Sequence, residues 1–137
     1  MTWKCPECGK SFRNPNQEHS CARLTVEEHL RNRSGAVRMI FDRLMMEAHR
    51  FGDITVNPVK TSIKVKAGAT FLSIMLKKDR VDVEFFLDRE VSKPPIVKSF
   101  RVSGRRVLHC ATLENFAAVN QELVGWLKES YELVAGR

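Results

Sequence analysis

The feature that most constrains the fold is a change of hydrophobic period at residue 53. Before it, Val37, Ile40, Phe41, Leu44, Met45, Ala48 and Phe51 recur at i, i+3, i+4 and i+7. That is the spacing of one buried helix face. After it the period drops to two: Ile63, Val65 and Ala67 alternate with Lys64 and Lys66, and Val81, Val83, Phe85 and Leu87 repeat the pattern. Period two marks strands with one buried face. A chain that switches once from helix to strands, and back to an amphipathic helix at its end, folds as α+β rather than as alternating βαβ units.

Punctuation sets the expected elements. Thr25-Val-Glu-Glu28 is a capping box and opens a short helix. Ser34-Gly35 opens a longer one, and Gly52 stops it. Strands are expected over residues 54–56 (ended by Asn57-Pro58), 62–67, 70–76, 81–87, 96–102 and 107–113. Residues 70–76 are apolar on both faces and predict a central strand. Lys77-Lys78-Asp79-Arg80 and Ser103-Gly104-Arg105-Arg106 are expected turns. The last helix is expected over 114–134, burying Phe116, Val119, Leu123, Trp126, Leu127 and Val134. The expected body, 25–137, is a two-layer antiparallel sheet of about six strands in meander order, covered on one face by helices. The other face would carry Lys64, Lys66, Asp82, Glu84 and Arg101. Met45, Met46 and Cys110 are expected as core filling.

Residues 1–24 obey a different constraint. Cys5-x2-Cys8 is followed by His19-x-Cys21. Two cysteines on a tight turn reach one tetrahedral zinc ion, with Gly9 permitting the turn. His19 and Cys21, at i and i+2, point the same way on an extended segment. Cys21 with His29 is the alternative second pair. Cys5 to Phe12 resembles the opening of a C2H2 finger, yet Pro15 and two asparagines stand where a recognition helix would be. The expectation is a zinc-stapled arm, its folding energy supplied by the metal.

Charge points to a partner class. The chain is +7, and residues 53–113 hold twelve Lys/Arg against six Asp/Glu. An anionic partner is expected, and nucleic acid fits best. The candidate contacts are Lys60, Lys64, Lys66, Lys77, Lys78, Arg80, Arg105 and Arg106, with Trp3 and Phe12 as stacking surfaces. No long apolar run predicts a membrane span, and the cysteine pattern fits a reducing, cytoplasmic compartment. No catalytic residues are assigned. Asp82 and Glu84 share one side of a strand, but no Glu-x-Lys follows, and the adjacent His109 and Cys110 point to opposite faces. Two other readings stand beside nucleic-acid binding: a protein-interaction adaptor using the zinc arm, and a ligand or metal carrier grouping His109 with Asp82 and Glu84.

Trp3, Cys5, Pro6, Cys8, Gly9, Phe12, Asn16, Gln17, His19 and Cys21 resemble the arm of a bacterial family of unknown function. Pro58-Val-Lys60-Thr61 and Glu122-Leu-x-x-Trp126-Leu127 match its body. The resemblance implies His19 and Cys21 as the second ligand pair. The body is also similar to the YdhG-like group, for which an iron-chaperone role has been proposed. Similar bodies occur beside predicted nucleases, which implies a nucleic-acid context.

Overall fold

The computed structural model describes residues 3–4, 11–12 and 25–136. Cys5, Cys8, His19 and Cys21 lie outside the described residues. Two short strands, β1 (Trp3–Lys4) and β2 (Ser11–Phe12), pair antiparallel, with Trp3 opposite Phe12 and Lys4 opposite Ser11. They bracket Cys5 and Cys8 in sequence.

Helix α1 (Val26–Leu30) starts on the expected cap: the Thr25 hydroxyl accepts from the Glu28 amide at 3.2 Å. Helix α2 (Gly35–Phe51) is capped by Ser34, whose hydroxyl accepts from the Val37 amide. It ends at Gly52, where φ is +149°. A Cβ at Gly52 would also meet the Tyr131 hydroxyl. Both the backbone angle and the close approach therefore demand glycine.

Six antiparallel strands follow: β3 (Thr55–Pro58), β4 (Ile63–Ala67), β5 (Ala69–Leu76), β6 (Val81–Leu87), β7 (Ile96–Ser103) and β8 (Arg106–Leu113). Strand β3 runs through Pro58, past the expected stop. It pairs only with β4, and an edge strand tolerates a residue without an N–H. The expected meander order is corrected. The observed order is β3-β4-β5-β6-β8-β7, so β8 inserts between β6 and β7.

That insertion needs a strap, residues 88–95, to carry the chain from β6 past β8. Buried His109 on β8 holds it. The Val91 amide donates to His109 Nε2 at 3.0 Å, while Nδ1 donates to the Val107 carbonyl at 2.9 Å. Two ion pairs tie the strap to the last helix, α3 (Gln121–Val134): Arg89 with Glu129 and Lys93 with Glu122, each at 2.8 Å. The imidazole stacks on Phe85, which stacks on Trp126 of α3. Strap and helices thus share one sheet face.

Helix α3 starts at Gln121 because the Asn120 side chain accepts from the Leu123 amide there. The preceding residues Phe116–Ala118 form a separate 3-10 turn capped by Asn115. Phe116 is therefore 43% exposed, not buried as expected. Met45 packs against the core as expected, but Met46 is 52% exposed, because the helix turns it outward.

The core lies between the sheet and α2 and α3. Val37, Ile40 and Leu44 of α2 and Leu123 and Leu127 of α3 are almost wholly buried against Ile63, Leu72, Ile74, Val83 and Phe85. Buried Ser130 joins layers: its hydroxyl donates to the Phe71 carbonyl at 2.7 Å and accepts from the Phe86 amide at 2.9 Å. It satisfies two backbone groups where β5 and β6 no longer pair directly. Ser130→Ala leaves both without this partner. We expect it to lower unfolding stability by about 1–3 kcal/mol, measured by urea denaturation.

Candidate functional site

With helices and strap on one face, the other face of the sheet stays open among the described residues. Strand pairing lines up a row across it: Lys64 opposite Ser73, Ser73 opposite Glu84, Glu84 opposite Cys110, and Cys110 opposite Lys98. The side chains of this row interact. Lys64 Nζ donates to Ser73 Oγ at 3.0 Å, and Cys110 Sγ donates to Glu84 Oε2 at 3.5 Å. In the neighbouring row Asp82 faces Met75 and Thr112. Asp82 Oδ1 accepts from Thr112 Oγ1 at 3.1 Å and from Arg80 Nε at 3.3 Å.

These rows form a groove of about 440 Å³, bounded by Lys64, Lys77 and Lys98 around Asp82, Glu84, Cys110 and Thr112. Its floor is acidic and its rim basic. A third row, Phe86 opposite Leu108 opposite Phe100, lies on the same face. The Arg106 guanidinium lies 5.7 Å from the Phe86 ring centroid, and Lys98 Nζ 5.6 Å from that of Phe100. Both distances are within cation–π range. Phe100 is 52% exposed.

The expected basic residues divide among several surfaces. Lys64 and Lys77 line the groove. Lys66 alternates with Val65 on the strand face of Lys64. Lys78 and Arg80 lie in the exposed turn after β5, and Arg80 is committed to Asp82. Arg106 joins the aromatic row. Lys60, however, lines a cleft with Glu28, His29 and Arg33 of the α1 region. Arg105 sits with Asp88, Glu129 and Glu132 on the α3 side. Lys98 and the Phe86–Phe100 row were absent from the expected set. Their signal is only strand alternation on β6 and β7, and it cannot be read without knowing that β8 lies between them.

Cys110 is a second correction. It is half-buried on the open face, not in the core, because it stands opposite Glu84. Burial pushes its thiol pKa up, and the Glu84 carboxylate pushes it further. The group therefore stays a thiol at neutral pH and serves as a donor to Glu84. His109 faces the other way, so the expected grouping of His109 with Asp82 and Glu84 does not form. Among the described residues no three His, Cys, Asp or Glu side chains gather to hold a metal ion. His29, the alternative zinc ligand, has Nε2 2.7 Å from the Val59 carbonyl, which ties α1 to the turn after β3.

Residues 26–134 match the family described as a domain of unknown function, DUF5655. The chain belongs to this family. The match spans α1 to α3, including every strand of the groove, and leaves residues 1–25 outside. Comparison with curated proteins and with solved structures returns no match. No helix among the described residues is long and apolar enough to cross a membrane.

His109 also sets a pH dependence. Burial lowers its pKa from 6.5, because the imidazolium would lose its hydration there; protonation would also remove the acceptor that holds Val91. Below pH 6.5 the unfolded chain takes up a proton that the folded chain refuses, so stability falls as pH drops. Urea midpoints should decline from pH 7 to about pH 5 in the natural chain. His109→Gln should be less stable at pH 7 and decline less over the same range.

Proposed function

We propose that the chain is a zinc-binding protein that holds single-stranded nucleic acid across the open sheet face. The observation that carries the reading is the groove itself. Lysines rim a sheet surface that no described residue covers, and exposed Phe100, in one row with half-buried Phe86, continues it. Single strands are held by cations that follow the backbone and aromatic rings on which bases stack. Lys64, Lys77 and Lys98 would take phosphates, with Phe100 and Phe86 under bases. Asp82 and Glu84 repel phosphate, so they favour a strand that keeps its backbone on the rim. Their free lone pairs suit base amino and imino donors.

The zinc part rests on the spacing of Cys5, Cys8, His19 and Cys21, and is supported by the β1–β2 pairing around the first two. The arm lies outside the family match and would act as a stapled appendage to the sheet. Elemental analysis is expected to find about one zinc per chain. Cys5→Ser and His19→Ala should lose it and His29→Ala should keep it.

Fluorescence anisotropy with labelled single-stranded RNA, single-stranded DNA and duplex, across a salt series, tests the main reading. Single strands should bind more tightly than duplex, with affinity falling steeply as salt rises. Lys64→Glu with Lys98→Glu should weaken binding by about tenfold or more and flatten the log–log salt slope by about 0.7 per lysine. Phe100→Ala should cost about 1 kcal/mol or more with little change in that slope. No binding at low salt would overturn the reading and leave the zinc arm as a protein-contact element.

A further inference from the structure

The floor of the groove holds one carboxylate whose hydrogen-bonding capacity is barely used. Among the described residues Glu84 makes no ion pair, and its side chain has one hydrogen-bond partner, the Cys110 thiol at 3.5 Å. A thiol is a weak donor, so most of the lone-pair sites on the two oxygens remain for a ligand. Asp82, its neighbour on the same face of β6, is more engaged, since Oδ1 accepts from both Thr112 and Arg80. Glu84 is half-buried in the groove wall.

Cations stand on both sides of Glu84 without pairing with it. Ser73 lies directly opposite Glu84 on β5, and Lys64 Nζ is 3.0 Å from the Ser73 hydroxyl. Adjacent strands are about 4.8 Å apart, so this ammonium is held one strand away from the carboxylate. After its bond to Ser73 it keeps two further N–H donors. On the other side Lys98 faces Cys110, which is opposite Glu84 on β8.

Building on the reading that the groove holds single-stranded nucleic acid, we propose that Glu84 and Lys64 make it select guanine at one position. Unpaired bases offer their Watson–Crick edge. Guanine alone presents two adjacent donors there, N1–H and the N2 amino group, with the O6 acceptor next in line. A carboxylate accepts two parallel N–H bonds, as it does from arginine. With both donors on Glu84, O6 points along the row toward the Lys64 ammonium. Adenine and cytosine would set a ring-nitrogen lone pair against the carboxylate, and uracil would set carbonyl oxygens there. The strand has a path away from this position. Phe86 lies two residues beyond Glu84 on the same face, in one row with Phe100. Two strand residues span about 6.7 Å, a step that one extended nucleotide covers. Lys98, whose Nζ lies 5.6 Å from the Phe100 centroid, stands between the two base positions and meets the phosphate that joins them.

Fluorescence anisotropy with the zinc-loaded full chain and labelled uridine RNA octamers tests the proposal. Each octamer carries one central guanine, adenine, cytosine, inosine or 7-deazaguanine. Guanine should bind about tenfold or more tighter than adenine or cytosine. Inosine lacks the N2 amino group and should lose most of that lead, whereas 7-deazaguanine, altered only on the far edge, should keep it. Glu84→Gln offers one acceptor and one donor, the complement of adenine's edge, so guanine should lose its lead and adenine should gain. Circular dichroism and the urea midpoint check that this variant keeps the fold. Failure of every octamer to bind at low salt overturns the nucleic-acid reading and this proposal with it. Octamers that bind without a guanine lead overturn the proposal alone. So does a lead that inosine or Glu84→Gln retains, or one that 7-deazaguanine loses.

Discussion

Two hydrogen bonds to one buried imidazole underlie this architecture. His109 donates from Nδ1 to its own strand and accepts at Nε2 from the strap that crosses it. A buried polar group without partners costs more than the bond it would make, so the strap and β8 hold each other in place. Because the strap runs on the helix side, β8 can slide between β6 and β7 without covering the other face. Phe85 and Trp126 stack beneath the imidazole and extend the same contact into α3.

The one-sidedness of the sheet follows from this arrangement and from Ser130. Helix α3 is hydrogen-bonded to β5 and β6 through a single hydroxyl, and α2 packs beside it. Among the described residues, all the large covering elements lie on one face. The exposed face must then be stable in water, and its rows of lysine, serine, carboxylate and thiol make it so beside the apolar row of Phe86, Leu108 and Phe100. Cross-strand partners such as Thr112 with Asp82 and Cys110 with Glu84 hold the acidic floor rigid. The open groove is a consequence of where the cover went.

Much of the fold was legible because local rules agree with the tertiary outcome. The caps at Thr25 and Ser34 act as their sequence implies, and Gly52 ends α2. Five of the strands, and the hairpin between β7 and β8, lie where alternation places them. The departures have physical causes beyond any local window. Asn115 and Asn120 cap two separate turns where periodicity suggests one helix, since an asparagine side chain competes for backbone amides. Cys110 looks apolar by type, but its position opposite Glu84 makes it a donor.

Sequence alone determined which residues alternate, where the helices begin, and that the basic charge concentrates between residues 53 and 113. These are properties of neighbours along the chain. Tertiary structure alone decided that β8 enters between β6 and β7. It thereby placed Lys98 across from Cys110, separated Lys60 and Arg105 from Lys64, and aligned Phe86 with Phe100. Alternation says which two faces a strand has, but only strand order says which residues of distant strands share a row. The contact that goes with this order is buried His109 holding the Val91 amide of the strap, and it joins segments remote in sequence.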